Sequence, residues 1–264
     1  MHKVKLCSQS NDYVALDKIS SSLKNAILVS EDVGFYFHEG FDLYESYQSL
    51  KKNVKKGHLA RGGSTITQQL VKNVFLSPEK SITRKLKEAY LAYQIEGLYS
   101  KDFIFEKYLN VIEFGPGVYG IKKAAWYYFN KKPDQLNVLE SIYLAQLLPN
   151  PRKYSDTFVA RTLDRRSKSI MTVLLKRLIT YKRISQTEYL WAKSQFDQFP
   201  WINASPPSQS LAQENLEWDS DAIDSLESTD DPSESFSADD EEVEEESSNE
   251  SESTSPSLIN QYSF

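Results

Sequence analysis

Apolar residues recur at intervals of three and four through most of the first 200 residues. This spacing places them on one side of an α-helix, whereas a half-buried β-strand would alternate apolar and polar positions. One such side is formed by Leu16, Ile19, Leu23 and Ile27. We find neither a long alternating run nor an internal repeat, so we expect a mainly α-helical body. The predicted helices cover residues 16–29, 41–57, 65–73, 78–96, 101–111, 121–129, 137–148, 158–181 and 185–194.

Capping and turn signals mark several helix boundaries. Asn137 and Glu140 have the spacing of a capping box, in which each side chain binds the other's backbone N–H. A similar pair opens the helix predicted at 185–194. Ser-Pro at residues 77–78 is typical of a helix start. The Gly-Pro-Gly sequence at residues 115–117 predicts a turn.

The composition changes after residue 200. Proline, serine and acidic residues dominate there, and residues 205–264 hold 18 of the 37 acidic residues but no lysine or arginine. Such a segment cannot bury enough apolar surface to offset the entropy lost on ordering. We therefore predict a folded domain at 1–200 and a disordered acidic tail at 201–264. The tail either keeps the protein in solution or binds a partner.

Without the tail the protein is basic. Residues 1–204 carry 31 basic and 19 acidic residues, a net charge of +12. This charge favours an anionic partner such as nucleic acid, a phospholipid surface or a phosphate-bearing substrate. Cys7 is the only cysteine, and the three histidines lack metal-ligand spacing.

The sequence shows no membrane-targeting segment. No run approaches the ~18 apolar residues of a membrane span. Residues 1–12 are polar and lack the apolar core of a signal peptide. We expect that the protein reaches its site by another route, or that the reading frame lacks an N-terminal piece.

The stretch GGSTITQQLVKN at residues 62–73 concentrates hydrogen-bonding groups. Its glycine pair precedes a predicted helix, where backbone can approach a ligand closely and unpaired N–H groups point toward it. Lys72 adds a positive charge one or two turns later. These features are typical of an anion-binding site. An N-capped helix with a polar face, with Ser64 or Thr65 as the cap, would explain them as well.

Other segments also allow two interpretations. Two adjacent acids in SEDVGFYFHEG at residues 30–40 fit either a site or a solvated helix end. Lys80, Arg84 and Glu88 stand at four-residue steps, so they share one stripe of a helix. Residues 41–57 combine aromatic residues with four lysines, which suits either a lipid headgroup interface or an ordinary surface helix.

These segments and two later ones resemble, in order, the five motifs of the peptidoglycan glycosyltransferases of family 51. Those are the glycan-polymerising domains of class A penicillin-binding proteins and of monofunctional transglycosylases. The resemblance covers about residues 13–180. No transpeptidase signature of the Ser-x-x-Lys type with its companion motifs is evident, and the chain is too short for a transpeptidase domain, so it resembles the monofunctional type. The motifs are SEDVGFYFHEG (30–40), GGSTITQQLVKN (62–73), RKLKE (84–88), FIFEKYLN (103–110) and YGIKKAAWYYF (119–129).

The resemblance implies a lysozyme-like fold with two lobes, a head and a small membrane-touching jaw at about 41–61. It also implies a reaction: lipid II is polymerised into glycan strands with inversion, and undecaprenyl diphosphate is released. Glu31 matches the family's catalytic glutamate, a general base toward the acceptor hydroxyl. Glu88 matches the second catalytic glutamate, which would orient the diphosphate through basic residues or through a divalent cation, Mg²⁺ or Mn²⁺.

The remaining site residues follow from the same match. Positive charge is needed where the diphosphate leaves, and we expect it from Lys72, Lys80 and Arg84. His38 is interpreted as structural, since lone histidines are rarely ligands. The other positions that match the substrate-binding site are Ser64, Thr65, Gln68, Gln69 and Asn73.

The resemblance further implies partners and a location. The substrates would be lipid II and the nascent glycan strand, met at the outer (periplasmic or extracytoplasmic) face of the bacterial cytoplasmic membrane. Residues 41–61 would contact the membrane surface. The acidic tail is a candidate binding segment for other cell-wall synthesis proteins. No nucleic-acid motif accompanies the basic charge, so we do not expect nucleic acid as a partner.

The chain departs from the family pattern in three respects. Family members often carry arginine where Gln48 and Lys80 stand, and lysine lacks the two-pronged geometry that suits phosphate. The usual N-terminal membrane helix is also absent, which bears on processivity and localisation. Two alternatives follow. A lysozyme-like lytic hydrolase would need no basic stripe, whereas a catalytically degenerate membrane-surface scaffold would not need Glu31 and Glu88.

Overall fold

The computed structural model describes residues 10–42, 63–77 and 81–201. Within these ranges the chain is mainly α-helical, as predicted, with one small β-hairpin and two short 3-10 turns, Leu16–Lys18 and Pro133–Gln135. The α-helices are α1 (Ser21–Glu31), α2 (Ile66–Phe75), α3 (Ile82–Leu98), α4 (Lys101–Val111), α5 (Ile121–Phe129), α6 (Val138–Leu147), α7 (Pro151–Tyr154), α8 (Asp156–Val159), α9 (Arg165–Thr180) and α10 (Gln186–Gln195), and the strands are β1 (Glu113–Gly115) and β2 (Val118–Tyr119).

Helix α6 is the centre of the hydrophobic core. All ten of its residues are buried, and a helix without a solvent-facing side needs partners all round. Helices α1 and α9 supply two of them. The predicted capping box is confirmed, because Asn137 and Glu140 bind each other's backbone N–H. Glu140 also pairs with Lys131 at 2.7 Å, so this buried charge has a partner.

Helix α2 packs against α3 and α4 on the side of the body that carries the candidate site. It turns Ile66, Leu70 and Val71 inward, as the apolar spacing predicts. Helix α1 buries Leu23 and Ile27 in the same core. The C-terminal end of α1 and the N-terminal end of α2 are thereby held as parts of one packed unit.

The hairpin formed by β1 and β2 contains the predicted turn at residues 115–117. It leads into Gly120, whose φ of +80° is unfavourable for residues with a side chain. A Cβ atom there would lie 2.6 Å from the Asn110 carbonyl oxygen. Glycine therefore allows α5 to begin directly against the end of α4.

The long helix predicted at 158–181 is wrong in its first part. The chain leaves α8 at Val159 and passes through Arg161 with a left-handed φ of 51°. It re-enters a helix only after Asp164, whose Oδ1 accepts a hydrogen bond from the Ser167 N–H at 2.6 Å. The apolar spacing runs across this break, but the N-cap fixes where the helix begins.

Other boundaries shift by a few residues. Helix α3 begins at Ile82 with Ser81 as its N-cap, rather than at the Ser-Pro pair. Trp201 is 2% exposed and donates its Nε1–H to the Gln195 carbonyl at 2.9 Å, so the packed body reaches past residue 200.

Two predicted regions fall largely outside the described residues. These are the membrane-touching segment 41–61, from residue 43 onward, and the tail beyond residue 201. Both stay predictions. Among the helices that the structure describes, none combines the length and apolar character needed to cross a membrane.

Candidate active site

Glu31 is the last residue of α1, at the edge of the packed body. Its Oε2 accepts a hydrogen bond from Gln69 Nε2 at 2.9 Å, and its Oε1 accepts one from the Ser30 hydroxyl at 3.3 Å. Burial raises the pKa of Glu31 above its ordinary value of 4.5, and Asp32 adds to the rise. The two hydrogen bonds and the charge of Lys72 oppose it. A partly exposed carboxylate with a raised pKa is suited to exchanging a proton with substrate.

The orientation of Gln69 is set by Tyr108. The Tyr108 hydroxyl donates to Gln69 Oε1 at 3.1 Å. An amide that accepts at its oxygen has its nitrogen free to donate, and this nitrogen faces Glu31. Tyr108 itself is fully buried. The aromatic residue thus acts on Glu31 through the amide, and sequence spacing gave no signal for it.

The start of α2 is a capping box. The sequence predicted Ser64 or Thr65 as the N-cap, and the structure shows that it is Thr65. Its Oγ1 accepts a hydrogen bond from the Gln68 N–H at 3.3 Å. Gln68 Oε1 accepts in return from the Thr65 N–H at 3.2 Å. Thr65 Oγ1 also donates to the Gly40 carbonyl at 2.8 Å. Both side chains are buried and engaged in the fold, so their predicted contact with substrate has no direct support in this geometry.

Asp32, the residue after α1, links the end of that helix to the start of α2 by a hydrogen bond. One of its carboxylate oxygens accepts from the Ile66 N–H at 2.9 Å. His38 Nε2 lies 2.9 Å and 3.1 Å from the two oxygens of the same carboxylate. His38 Nδ1 accepts from the Gly40 N–H at 3.2 Å, which assigns the ring proton to Nε2. The structure therefore gives His38 the structural role that the sequence analysis assigned to it.

Glu88 forms a second centre on α3. It is 2% exposed, and Lys85 Nζ lies 2.5 Å from its Oε1. Arg84 Nη1 lies 3.6 Å from its Oε2. The structure thus brings Arg84 and Glu88 together as predicted. Lys85 was missed by the sequence analysis, although its three-residue distance from Glu88 placed it on the same side of the helix.

The two carboxylates are joined through Ser64. Gln69 Nε2, which binds Glu31, also lies 3.4 Å from the Ser64 carbonyl oxygen. Lys85 Nζ, which binds Glu88, donates to the Ser64 hydroxyl at 3.2 Å. Ser64 is exposed, so this bridge faces solvent. Glu31 and Glu88 consequently belong to one connected site, which we call the cleft, with the segment before α2 between them.

Lys72 is the cation of this cleft that has no fixed partner. Within the described ranges, no carboxylate lies within ion-pair distance of it. The Lys72 side chain keeps contact with solvent. Desolvation by the surrounding protein nevertheless lowers its pKa, and the charges of Lys85 and Arg84 lower it further. Glu88 and Glu31 act in the opposite direction. Lys72 therefore lies in the electrostatic field of both carboxylates and is available to an anionic ligand.

The remaining predicted residues contribute less. Asn73 is exposed, next to Lys72. Lys80 lies outside the described residues, as does Gly62, the first glycine of the 62–73 stretch. In the part of the chain that the structure describes, no group of three or more acidic, histidine or cysteine side chains could hold a metal ion. Both Glu88 oxygens face cations of the protein, and the divalent cation expected at Glu88 stays a prediction.

The chain is similar to known proteins of one family. The family model described as Transglycosylase matches residues 1–175. A biosynthetic peptidoglycan transglycosylase of Dechloromonas aromatica is 44% identical over 169 residues, covering 64% of this chain and 73% of the relative. Proteins of the same name from Aromatoleum aromaticum and an Azoarcus species are 46% and 47% identical, covering 57% and 56% of this chain.

The matched segments span 66% and 64% of the length of those last two relatives, so the likeness concerns about two thirds of each protein. The family match over residues 1–175 includes every described residue of the cleft, from Glu31 to Glu88. The chain therefore belongs to the transglycosylase family, the family of peptidoglycan glycosyltransferases.

Proposed function

We propose that this protein polymerises lipid II into glycan strands and releases undecaprenyl diphosphate, with Glu31 as the general base. The observation that carries the proposal is that a half-buried carboxylate, Glu31, and a cation-bound carboxylate, Glu88, are connected through Ser64 and its neighbours. One side is suited to a sugar hydroxyl and the other to a diphosphate. This division matches the two ends of a glycosyl transfer.

The reaction needs an ionised Glu31. Its carboxylate takes the proton of the acceptor's sugar 4-hydroxyl as that oxygen attacks the anomeric carbon of the growing chain. The bond from this carbon to the diphosphate oxygen breaks, and its electron pair leaves with the diphosphate. Attack from the opposite side inverts the anomeric carbon. Gln69 keeps the carboxylate oriented through its 2.9 Å hydrogen bond.

Negative charge grows on the diphosphate as it leaves. We assign its stabilisation to Lys72, Arg84 and Lys85, because these cations border the cleft on the Glu88 side. Donors that are already in place cost no reorganisation at the moment of reaction. Glu88 holds two of the cations in position and leaves Lys72 free to follow the substrate. The divalent cation stays a prediction, and no step here depends on one.

A lytic hydrolase is the alternative that the cleft disfavours. Its substrate lacks a diphosphate, so it would have no use for three cations next to a carboxylate. Both enzymes could use Glu31, which means that loss of activity on substitution does not separate them. The products do separate them, since one enzyme lengthens glycan and the other shortens it.

The test is incubation of the purified full chain with labelled lipid II, with products separated by size. We expect long polymer from the wild type and a loss of about 100- to 10,000-fold in rate for Glu31→Gln, the usual cost of removing a general base. Glu39→Gln is the matched control, because Glu39 is an exposed carboxylate on the neighbouring segment. Shortening of preformed strands would overturn the proposal. Polymerisation by Glu31→Gln within about threefold of wild type would overturn the role of Glu31.

A further inference from the structure

Helices α5 and α8 share an exposed aromatic surface. Trp126 and Tyr127 on α5 are 65% and 54% exposed, and Val159 on α8 is 76% exposed. The rings of Tyr127 and Phe158 lie 6.2 Å apart, which joins the two helices into one surface. Large apolar side chains that are exposed together are typical of a site that binds another chain segment. We call this surface, Trp126, Tyr127, Phe158 and Val159, the aromatic face.

The aromatic face borders a cavity of about 190 Å³. Aromatic rings, the Pro200 ring and the exposed Arg161 side chain form much of its wall, together with Glu140. Glu140 is already paired with Lys131 at 2.7 Å. Arg161, in contrast, has no carboxylate partner within the described ranges. Apolar walls with one available cation suit a large apolar side chain that has acidic neighbours.

Phe158 and Arg161 lie in a basic segment of the chain. Residues 152–168 carry six basic and two acidic residues, a net charge of +4. Some of these cations are engaged, such as Arg152, which lies 3.5 Å from Glu113. Others are exposed and lack a carboxylate partner among the described residues, namely Lys153, Arg161 and Arg166. The charge around the aromatic face therefore favours an acidic ligand.

The last described residues lie at this same surface. Pro200 lines the cavity, and the ring of Phe199 lies 6.3 Å from that of Phe158. Trp201 is buried, with its ring 5.0 Å from Phe199. The acidic tail thus starts at the wall of the cavity. A binding segment within the tail would be tethered there at high effective concentration.

One segment of the tail has the chemistry that the aromatic face favours. Residues 211–227, LAQENLEWDSDAIDSLE, contain six acidic residues and no basic one. Residues 228–254 hold only two large apolar residues, Phe236 and Val243. A tail that only keeps the protein in solution needs charge alone, so apolar residues among acids indicate a binding segment. In residues 211–227 these apolar residues are Leu211, Leu216, Trp218, Ile223 and Leu226.

We propose that residues 211–227 dock on the aromatic face of their own chain, with Trp218 at the cavity and the flanking acids facing Arg161. Tryptophan buries a large area and gains further from contact with other rings. Trp218 follows Pro200 by 18 residues, which span up to about 60 Å when extended, so the segment can fold back to its own start. None of these residues belongs to the cleft, so the inference does not depend on the proposed function.

The first test cross-links the segment to the aromatic face in the full chain. Val159→Cys and Ser220→Cys, with Cys7→Ser, provide two thiols for a short bis-maleimide reagent. The matched control replaces Val159→Cys by Leu190→Cys, because Leu190 is 55% exposed on α10. We expect linkage within one chain to be about tenfold or more faster for the first pair, since docking holds its thiols together.

Two results would overturn the proposal. One is an equal rate for both cysteine pairs, which would mean that the segment does not dock on its own chain. The other is linkage only between chains, at a rate that rises with protein concentration. That result would place the segment of a second copy on the aromatic face.

The second test removes the anchor and keeps the cysteine pair at 159 and 220. Trp218→Ser should lower the cross-linking rate to that of the control pair, because the cavity loses its ligand. Leu258→Ser, a change to an apolar residue of the tail outside 211–227, should leave the rate as it was. An unchanged rate in Trp218→Ser would overturn the assignment of Trp218 to the cavity.

The third test removes the charge. Arg161→Asn suits the left-handed φ of 51° at this position, because asparagine tolerates that conformation. The cross-linking rate should fall roughly twofold to fivefold, as expected for the loss of a solvent-exposed ion pair. Lys193→Asn, a change to an exposed lysine on α10, should have no effect. The same rate in both variants would contradict the contact between the acidic residues and Arg161.

Discussion

Glu31 and Glu88 border the same cleft but lie in opposite environments. Glu31 is half-buried and meets an amide, a hydroxyl and the neighbouring acid Asp32. Glu88 is buried and meets two cations. Identical side chains are thus prepared for different tasks by what surrounds them.

The difference supports the proposed assignment of Glu31 as the base. Burial without a fixed cation raises the pKa of Glu31, which makes it a better base once it is ionised. Glu88 is bound by Lys85 and Arg84 and serves to keep these cations in place. Lys72 lies in the field of both groups, so it links the two halves of the cleft.

Among the changes that test this contrast, removal of the Lys72 charge should have the largest effect on the rate. Lys72→Met should lower kcat by about 100-fold, comparable to the loss of one donor that stabilises a developing charge. Lys72→Arg should keep much of the activity, because it keeps the charge. The measurement is initial-rate polymerisation of lipid II, with Lys193→Met, an exposed lysine on α10, as control. A Lys72→Met enzyme as active as this control would contradict the assignment.

Neutralising the bound carboxylate should affect folding as well as rate. Glu88→Gln leaves Lys85 and Arg84 without their counter-charge and should lower the free energy of unfolding by about 1–3 kcal/mol, less than for a fully buried pair because both cations keep solvent contact. Urea unfolding of the purified protein measures this change. Glu39→Gln should leave it unchanged. Equal stability of the two variants would show that the Glu88 pairs contribute nothing to the fold.

A smaller effect is expected from Tyr108, which acts on Glu31 through Gln69. Tyr108→Phe removes the hydroxyl that holds the Gln69 amide, a hydrogen bond worth about 1 kcal/mol. We expect about a fivefold lower rate, the factor that corresponds to about 1 kcal/mol of lost orientation of the base at 25 °C. Released from Tyr108, the amide can turn its oxygen toward Glu31, which would move the acid limb of the pH–rate profile to higher pH. An unchanged limb would show that Tyr108 does not position the amide.

Much of the fold could be predicted from sequence because its signals are local. Capping boxes at Asn137 and Ser185 and the turn at 115–117 stand where the spacing placed them. The helix predicted at 158–181 was wrong in its first part, because the spacing of apolar residues cannot show a break in the chain. There the left-handed turn at Arg161 and the cap at Asp164 interrupt a pattern that continues on both sides.

The site was predicted less completely, since its contacts join distant segments. The motif resemblance named Glu31 and Glu88, but it gave no account of what separates their roles. Tyr108 reaches Gln69 from α4, and Asp32 reaches the backbone of α2, both through packing that spacing cannot show. The motif match assigned Gln68 to substrate binding, whereas the structure uses its side chain to cap α2.

The most direct test of the account is the pH dependence of kcat/KM for lipid II polymerisation. A general base must be ionised, so the rate should rise with pH through the pKa of Glu31, and burial places that midpoint above the ordinary 4.5. On the alkaline side the rate should fall as Lys72, whose pKa is lowered, loses its proton. The residual activity of Glu31→Gln should lack the acid limb. An acid limb at or below pH 4.5, or the same limb in Glu31→Gln, would contradict the assignment of Glu31 as the base.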